Sequence, residues 1–476
     1  MFSMSGLRIL ITQSFLYSYG GSEVITLELA EHFSGHGAEV LVAVHGYSDE
    51  IGVQVERLQN ARLFLLGDTA LDEILATRPV DIAWIHHQVL PPALLFEPGS
   101  TVFVFHHMSA SHPLEYPFAP RIERALASAV LFPSEGALDA QLASGLLDGI
   151  PVDSLHVFGN PAPDAFSVAN RAPSPVLRRL VVVSNHIPEE LVEALEALRL
   201  TCDVTVIGLE EEKGGSAGRV LPADIHAADA VVTIGKTVQY ALVAGVPVYC
   251  YDHFGGPGWL DEENFKRARY LHFAGRGFAK KPPNTIVEEI RDGYPAARLI
   301  AETWRDVRIA EFSLTRRVSD VLGEAAHVKR RGDEVNKTDV AAHLKAQAAL
   351  GTFMVMAHEI DGERRRLRQR VADLREQVSL LTLRTNDLSE AHEVARAWIA
   401  KLESDVQELR QAVIQAETKQ ARAESDAAAG RLALQESDER LLLSEHRAGE
   451  AENHLLSIRG SRVYRWAGGV KRFVRR

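Results

Sequence analysis

The stretch TIGKTVQYALVAGVPVYCYDHFGGPGWL, residues 233–260, decides how this chain is read. It holds a Gly-Lys-Thr, an apolar run of helical length, a short run suited to a buried strand, and a glycine-rich turn. Gly-Lys-Thr suggests the phosphate loop of a nucleotide hydrolase, whose pattern is G-x-x-x-x-G-K-[ST]. The residues before it argue otherwise. Ala230 stands where the first glycine should be, and Val231, Val232, Thr233 and Ile234 form a strand rather than a turn able to wrap an anion. The stretch therefore predicts a strand ending at Gly235, a helix starting about Lys236 or Thr237, and a second strand, VPVYCYD. Such a helix start still favours an anion, because its first amides lack helical partners and the helix dipole adds to them. Gly235 allows close approach, Lys236 offers a mobile cation and Thr237 a hydroxyl donor.

The alternation continues outward. RRLVVVSNH, CDVTVIG and DAVVTIG read as strands, with PEELVEALEALR as a helix among them. Up to residue 165, LRILIT, AEVLVAVHG, DIAWIHH and STVFVFHH read as strands, and SEVITLELAEHFSGHG as a helix closing on Gly37. Strands separated by helices signal parallel sheets with helical crossovers. The proline-rich segment 160–175 reads as a linker. The expected fold is α/β, with two Rossmann-like parallel-sheet domains at 1–165 and 166–325 and a cleft between them. Ligands of such sheets lie beyond the carboxyl ends of the strands.

After residue 326 the strands vanish. Residues 326–356 read as a helical linker and 357–458 as a coiled coil. From Leu367 through Leu374, Leu381, Leu388, Leu402 and Leu409 to Ala416, apolar residues recur at alternating spacings of four and three. Thr385 and His392 interrupt the seam and could set its register. A continuous rod of this length would measure about 140 Å, and the seam predicts a homo-oligomer. The tail 459–476 carries seven basic residues and no acid, with Tyr464, Trp466, Val470 and Phe473 among them. That mixture suits an anionic membrane surface.

Bulk properties narrow the classes. A chain of 476 residues needs more than one core. A formal charge of −12 argues against a general nucleic-acid binder. Cys202 and Cys250 lie in apolar runs without ligand spacing, which fits a reduced compartment and neither a disulfide framework nor a metal pair. The N-terminus shows no secretory pattern. No window approaches eighteen uninterrupted apolar residues, so no helix is expected to span a membrane.

Several segments, in order, resemble the GT-B glycosyltransferases, especially their family-four-like group. YGGSE, Tyr19 to Glu23, resembles the Gly-Gly-Ala-Glu turn after the family's first strand. ALASAVLFPSEGALDAQLASG resembles the family segment that reaches a serine, here Ser134. VFGNPAPDAF resembles the stretch leading into the second domain, and VTIGKTVQYALVAGVPVYCY occupies the place of the donor-binding strand, helix and strand. The resemblance covers roughly residues 6–325. It implies a second domain that binds a nucleotide-activated sugar, a first domain that binds the acceptor, and no bound metal.

The departures are specific. Aligned on Gly245 and Pro247, the two glutamates common in the family are replaced by Val232 and Tyr240. The family's arginine-lysine pair is absent where VVVSNHIPEEL stands. Donor-side candidates are therefore Gly235, Lys236, Thr237 and Tyr240, with Ser184 and Asn185 at the end of the domain's first strand and Arg276 as a replacement cation. His106 or His107, by the resemblance, would lie near the donor sugar, and Asp252 could contact sugar or ribose hydroxyls. Gly20, Gly21, Ser22 and Glu23 form the acceptor-side loop, where Glu23 either meets the acceptor or caps its helix. No residue stands out as general base, so retention or inversion stays open. The expected activity is transfer of a sugar from a nucleotide diphosphate to a polysaccharide or lipid-linked acceptor, in the cytoplasm or at the membrane's inner face. The rivals are a non-catalytic scaffold with a degenerate GT-B head, and another GT-B enzyme such as a sugar-nucleotide epimerase or polyol-phosphate transferase.

Overall fold

The structure is a computed structural model that describes residues 2–460 apart from 110–111, 113–117, 169–173, 209–214, 217, 329–334 and 385–390. The basic tail expected to meet a membrane thus lies almost wholly outside the described residues. The chain divides into two compact units, Met1–Asn336 and Lys337–Arg476.

The first unit contains both sheets. Its first lobe runs β1 (Arg8–Leu16), α1 (Gly21–Gly35), β2 (Glu39–Tyr47), α2 (Asp49–Glu56), β3 (Ala61–Leu65), α3 (Thr69–Thr77), β4 (Ile82–His86), α4 (Pro92–Phe96), β5 (Val102–His106), α5 (Pro120–Leu126), β6 (Ala127–Phe132), α6 (Glu135–Ala143) and β7 (Leu155–Val157). The strands pair in parallel in the order β3-β2-β1-β4-β5-β6-β7. The second lobe runs β8 (Arg179–Val183), α7 (Glu189–Leu198), β9 (Asp203–Ile207), β10 (Gly215–Ser216), α8 (Pro222–Ala227), β11 (Ala230–Thr233), α9 (Lys236–Ala244), β12 (Val248–Asp252), β13 (Gly255–Trp259), α10 (Phe265–Tyr270), α11 (Pro283–Phe312) and α12 (Leu314–Ala325). Its order is β10-β9-β8-β11-β12-β13, parallel except for the last pair. The expected α/β fold with two Rossmann-like sheets is the fold observed. Each sheet reverses its strand order once, between β1 and β4 and between β8 and β11, and such switch points open a crevice at the carboxyl ends.

Two elements differ from the sequence reading. The glycine-rich turn is a strand, β13, antiparallel to β12. It is built of glycine because it lies against other backbone. A Cβ on Gly256 would come within 2.0 Å of the Cys250 carbonyl oxygen. The second difference is α12, expected to belong to the second domain. Its Leu314, Val318, Val321, Leu322 and Ala325 join the core of the first lobe, alongside Ile9, Leu29, Val40 and Trp84. The chain therefore crosses between lobes twice, at residues 158–166 and again at the α11–α12 junction, where Leu314 N–H donates to the Ala162 carbonyl at 2.9 Å.

In the second unit, α13 (Lys337–Arg384) and α14 (Ala391–Gly460) lie side by side. Arg364 Nη1 donates to Gln420 Oε1 at 3.1 Å, and Ile360, Leu374, Leu402 and Ala416 are buried. Where a single continuous rod was expected, two helices of one chain, α13 and α14, pack on each other; Thr385 and Leu388 lie outside the described residues. By length and composition alone, one segment within Lys337–Ser379 could cross a membrane, an exception to the expectation that none would.

Leu322 is 1% exposed within the first lobe's core, whereas Leu299 on α11 is 55% exposed. Leu322→Ala is expected to cost about 2–5 kcal/mol and Leu299→Ala less than about 0.5 kcal/mol, read from urea unfolding midpoints. Equal costs would show that α12 is not part of that core.

Candidate functional site

The carboxyl edges of the two sheets face each other across the crossing at Asn160. Trp84 Nε1–H donates to His106 Nδ1 at 3.2 Å. His106 therefore carries its proton on Nε2, which donates to Asn160 Oδ1 at 3.3 Å. Asn160 Nδ2 donates to His272 Nε2 at 3.3 Å, and His272 Nδ1 donates to the Pro133 carbonyl at 3.1 Å. On the other side, His86 Nε2 lies 3.2 Å from His106 Nδ1, and Thr26 Oγ1 lies 3.0 Å from His86 Nδ1. The result is a buried cluster of imidazoles joining α1, β4, β5, the crossing and the second lobe. Desolvation favours the neutral form at its two ends, pushing His86 well below the ordinary histidine range and His272 down to about 4, with Lys236 adding to the effect on His272.

Backbone strain collects at the same place. Among the described residues the non-glycine positions with positive φ are His87 (52°), Gln88 (52°), Asn160 (46°), His272 (54°) and Phe273 (55°). Each such residue costs of order 1–3 kcal/mol and persists only where its surroundings hold it. Here the hydrogen bonds of Asn160 and His272 do so directly.

On the first lobe, the loop after β1 and the start of α1 carry the expected acceptor-side residues. Gly20 is the N-cap, and Gly21, Ser22 and Glu23 form the first turn. Glu23 folds back over Gly20, where a Cβ would come within 2.5 Å of its Oε2. Ser22 Oγ donates to that oxygen at 2.9 Å. Burial raises the pKa of Glu23, opposed by its hydrogen bonds and by the nearby His87. A half-buried carboxylate with raised proton affinity, at the β1/β4 switch point, can accept a proton from a bound hydroxyl. Sequence reasoning named no base. The signal was the neighbourhood of His87, which lies in the turn after β4.

His106 and His107 are 1% and 3% exposed. His106 belongs to the relay. His107 Nε2 lies 2.8 Å from Glu123 Oε1, a carboxylate also hydrogen-bonded by Gln88. Both histidines are buried and bonded to neighbouring protein groups. Asp252 is likewise committed: its carboxylate accepts from Phe254 N–H at 2.6 Å and Gly275 N–H at 3.1 Å. These bonds tie the β12 end to the loop before α11.

On the second lobe, Ser184 and Asn185 follow β8 and are partly exposed, with Ser184 Oγ accepting from His186 N–H at 3.2 Å. Gly235 caps α9 with φ 60° and has open space where a Cβ would stand. Thr237 is partly exposed in the first turn. Arg276 is exposed and lies over the Phe254 ring, 4.5 Å from its centroid. The expectation for Lys236 is corrected. Its ammonium is no mobile charge: Nζ sits 2.7 Å from Glu28 Oε2 of α1, 2.8 Å from the Pro161 carbonyl and 3.3 Å from that of Asn160. Desolvation lowers its pKa, with Glu28 opposing. Tyr240, a donor-side candidate, is engaged by protein groups: its hydroxyl donates to Glu28 and its ring stacks on Phe166 at 4.0 Å. Arg219, just before α8, makes a fork to Glu31 at 2.5 and 2.7 Å and lies 3.9 Å from Glu28. Arg219, Glu28 and Glu31 were not legible as site residues. Their only signal was two acids three residues apart inside an otherwise apolar helical run.

Among the described residues no group of three or more His, Cys, Asp or Glu is arranged to hold a metal. No family profile and no curated protein matches the chain. Among solved structures, it is similar to WaaG, a glycosyltransferase involved in lipopolysaccharide biosynthesis (15% identity, TM-score 0.41, covering 66% of this chain and 99% of that one). It is also similar to an α-glucosyltransferase solved with UDP and a 13-mer DNA (12%, 0.44, 67% and 99%). A third is the spinosyn forosaminyltransferase SpnP (15%, 0.40, 68% and 100%). At these identities the likeness concerns the course of the chain through the two lobes, and the chemistry rests on the side chains described above.

His272 tests the relay. Its pKa of about 4 lies below the value near 6.5 of an unfolded histidine. Below pH 6.5 the unfolded chain takes up a proton that the native site refuses. Its contribution is thus full above pH 6.5 and is lost as pH falls toward 4, by about 3 kcal/mol in all. The Tm of the wild type should fall more steeply between pH 6.5 and 4.5 than that of His272→Asn, which tolerates the positive φ and does not titrate. Parallel curves would remove the buried neutral imidazole from the account.

Proposed function

We propose that this chain is a cytoplasmic glycosyltransferase that moves a sugar from a nucleotide diphosphate donor to a polysaccharide or lipid-linked acceptor. The observation that carries this reading is the facing pair of switch points. One presents Glu23 beside His87, and the other presents the open Gly235 corner with Ser184, Asn185 and Thr237. A donor lying along the second edge would place its anomeric carbon toward the first. The bond from that carbon to the diphosphate oxygen breaks, and the diphosphate leaves with the electron pair. The acceptor oxygen bonds to the same carbon and gives its proton to Glu23. The reading places the leaving group's charge on protein cations and the first amides of α9, with no metal. The two packed helices would act as a spacer or oligomerisation element, and the basic tail would hold the protein at an anionic membrane.

A second reading, a binding scaffold that transfers nothing, is favoured by the commitment of Lys236 and Asp252 to protein partners. A thermal-shift panel of UDP, GDP, CMP and their sugars separates the two. A ligand at a hundred times its Kd stabilises by about 2.7 kcal/mol, and the transferase reading expects one nucleotide to do so and its sugar to be consumed with a membrane extract. A flat panel selects the scaffold. For the active nucleotide sugar, Glu23→Gln is expected to lower kcat about 10²–10⁴-fold while nucleotide affinity stays unchanged; an unaltered kcat would remove Glu23 as proton acceptor. Deleting 459–476 is expected to release the protein from anionic vesicles, and undiminished binding would end the tail's membrane role.

A further inference from the structure

We infer that Arg219, Lys236 and the Tyr240 hydroxyl are the diphosphate ligands of the cleft, and that Glu28 and Glu31 hold them as internal counter-anions which a nucleoside diphosphate displaces. This rests on the reading of the cleft as a nucleotide-sugar site and names the groups that would hold the phosphates.

Three observations lead to it. The donors come from separate elements of the second lobe, the segment before α8 and the first and second turns of α9, yet converge on two carboxylates. Both carboxylates belong to α1 of the opposite lobe, three residues apart on one helix face. Every one of these ion pairs therefore crosses between lobes, and moving the lobes apart leaves all the positive groups on one side and all the acids on the other.

The second observation is burial. The Lys236 and Glu28 side chains are 9% and 2% exposed, and Arg219 is 14% exposed against 39% for Glu31. Burial alone pulls the Arg219 guanidinium toward a lower pKa, and its bonds and charge pairing with Glu31 and Glu28 overturn that and raise it. Buried ion pairs seldom add net stability over well-packed apolar groups, so glue alone is a weak reason for so many charges. The third is position. The cluster adjoins the N-terminus of α9 and the open Gly235 corner, where a phosphate would add the helix amides to the same cations. Two acids balance two cations, so an arriving diphosphate finds matched positive charge once the carboxylates withdraw.

The test is calorimetric titration of the full chain with UDP, GDP, CDP, ADP and inorganic pyrophosphate. Glu31→Gln, at the more exposed acid, is the mild variant, and Glu28→Gln/Glu31→Gln the strong one. Removing the internal competitor should tighten binding of pyrophosphate, and of the nucleotide the wild type takes, at least fivefold; Arg219→Gln should weaken both at least tenfold. Unchanged or weaker binding in Glu31→Gln, with a native circular dichroism spectrum, overturns the inference and leaves the pairs as an interlobe brace. If sugar transfer occurs while these affinities do not move, the inference fails and the transferase reading stands. If no nucleotide binds but pyrophosphate follows the expected order, the anion site stands and the transferase reading falls.

Discussion

Glu28 is a carboxylate almost wholly withdrawn from water, and among the described residues its charged partners, Lys236 and Arg219, come from the opposite lobe, as does the Tyr240 hydroxyl. An acid buried without a partner is costly, and removing one member of a buried pair typically costs about 3–5 kcal/mol. The second lobe must therefore present Lys236, Tyr240 and Arg219 at one place on α1, and that requirement fixes how the sheets face each other. On the far side of the crossing, the relay from His86 through His106 and Asn160 to His272 does the same with neutral groups. The two networks meet at one residue. The Asn160 side chain links the imidazoles, while its carbonyl and that of Pro161 receive the Lys236 ammonium. A left-handed asparagine is what lets one residue point its amide one way and its carbonyl the other.

The fold was legible because its signals are local. Apolar runs bounded by turns announced the strands, and glycine at 235 announced the break between β11 and α9. What was hidden depends on contacts far apart in sequence. Tyr240 and Glu28 are 212 residues apart, and nothing in the composition around Lys236 says whether its charge meets solvent, a ligand or the other lobe. The stripe on α12 is plainly amphipathic, but amphipathicity does not say which of two cores it enters. Likewise the glycines of 255–258 read as a turn, since glycine marks both loops and the close approach of backbones. Only the partner strand distinguishes them.

The long helices show the same limit. A heptad seam declares that a face will be buried, and Leu374, Leu402 and Ala416 are buried. It does not declare whether the covering helix comes from another chain or from the same one after a break. The alternation of four and three runs from Leu367 to Ala416 without a slip, so the sequence offered no register cue that the seam would be covered by a second helix of the same chain.

A cleft built to receive a polyanion faces a physical difficulty when it is empty. Its cations must stay hydrated, which holds the lobes apart, or be neutralised from within, which lets them close. This chain neutralises them from within, at 2.7 Å for Lys236 and through a fork for Arg219. The closed state then costs little unpaired charge, and the cations keep their orientation through the crossing carbonyls and the ring of Phe166 behind Tyr240. Specificity follows from the same arrangement. A monoanion offers less than the two carboxylates it would replace, whereas a diphosphate offers at least as much charge in a compact group. If the cluster receives a diphosphate as inferred above, Glu28 and Glu31 set a threshold of charge for entry, and closure around any weaker anion is opposed by the acids it would have to expel.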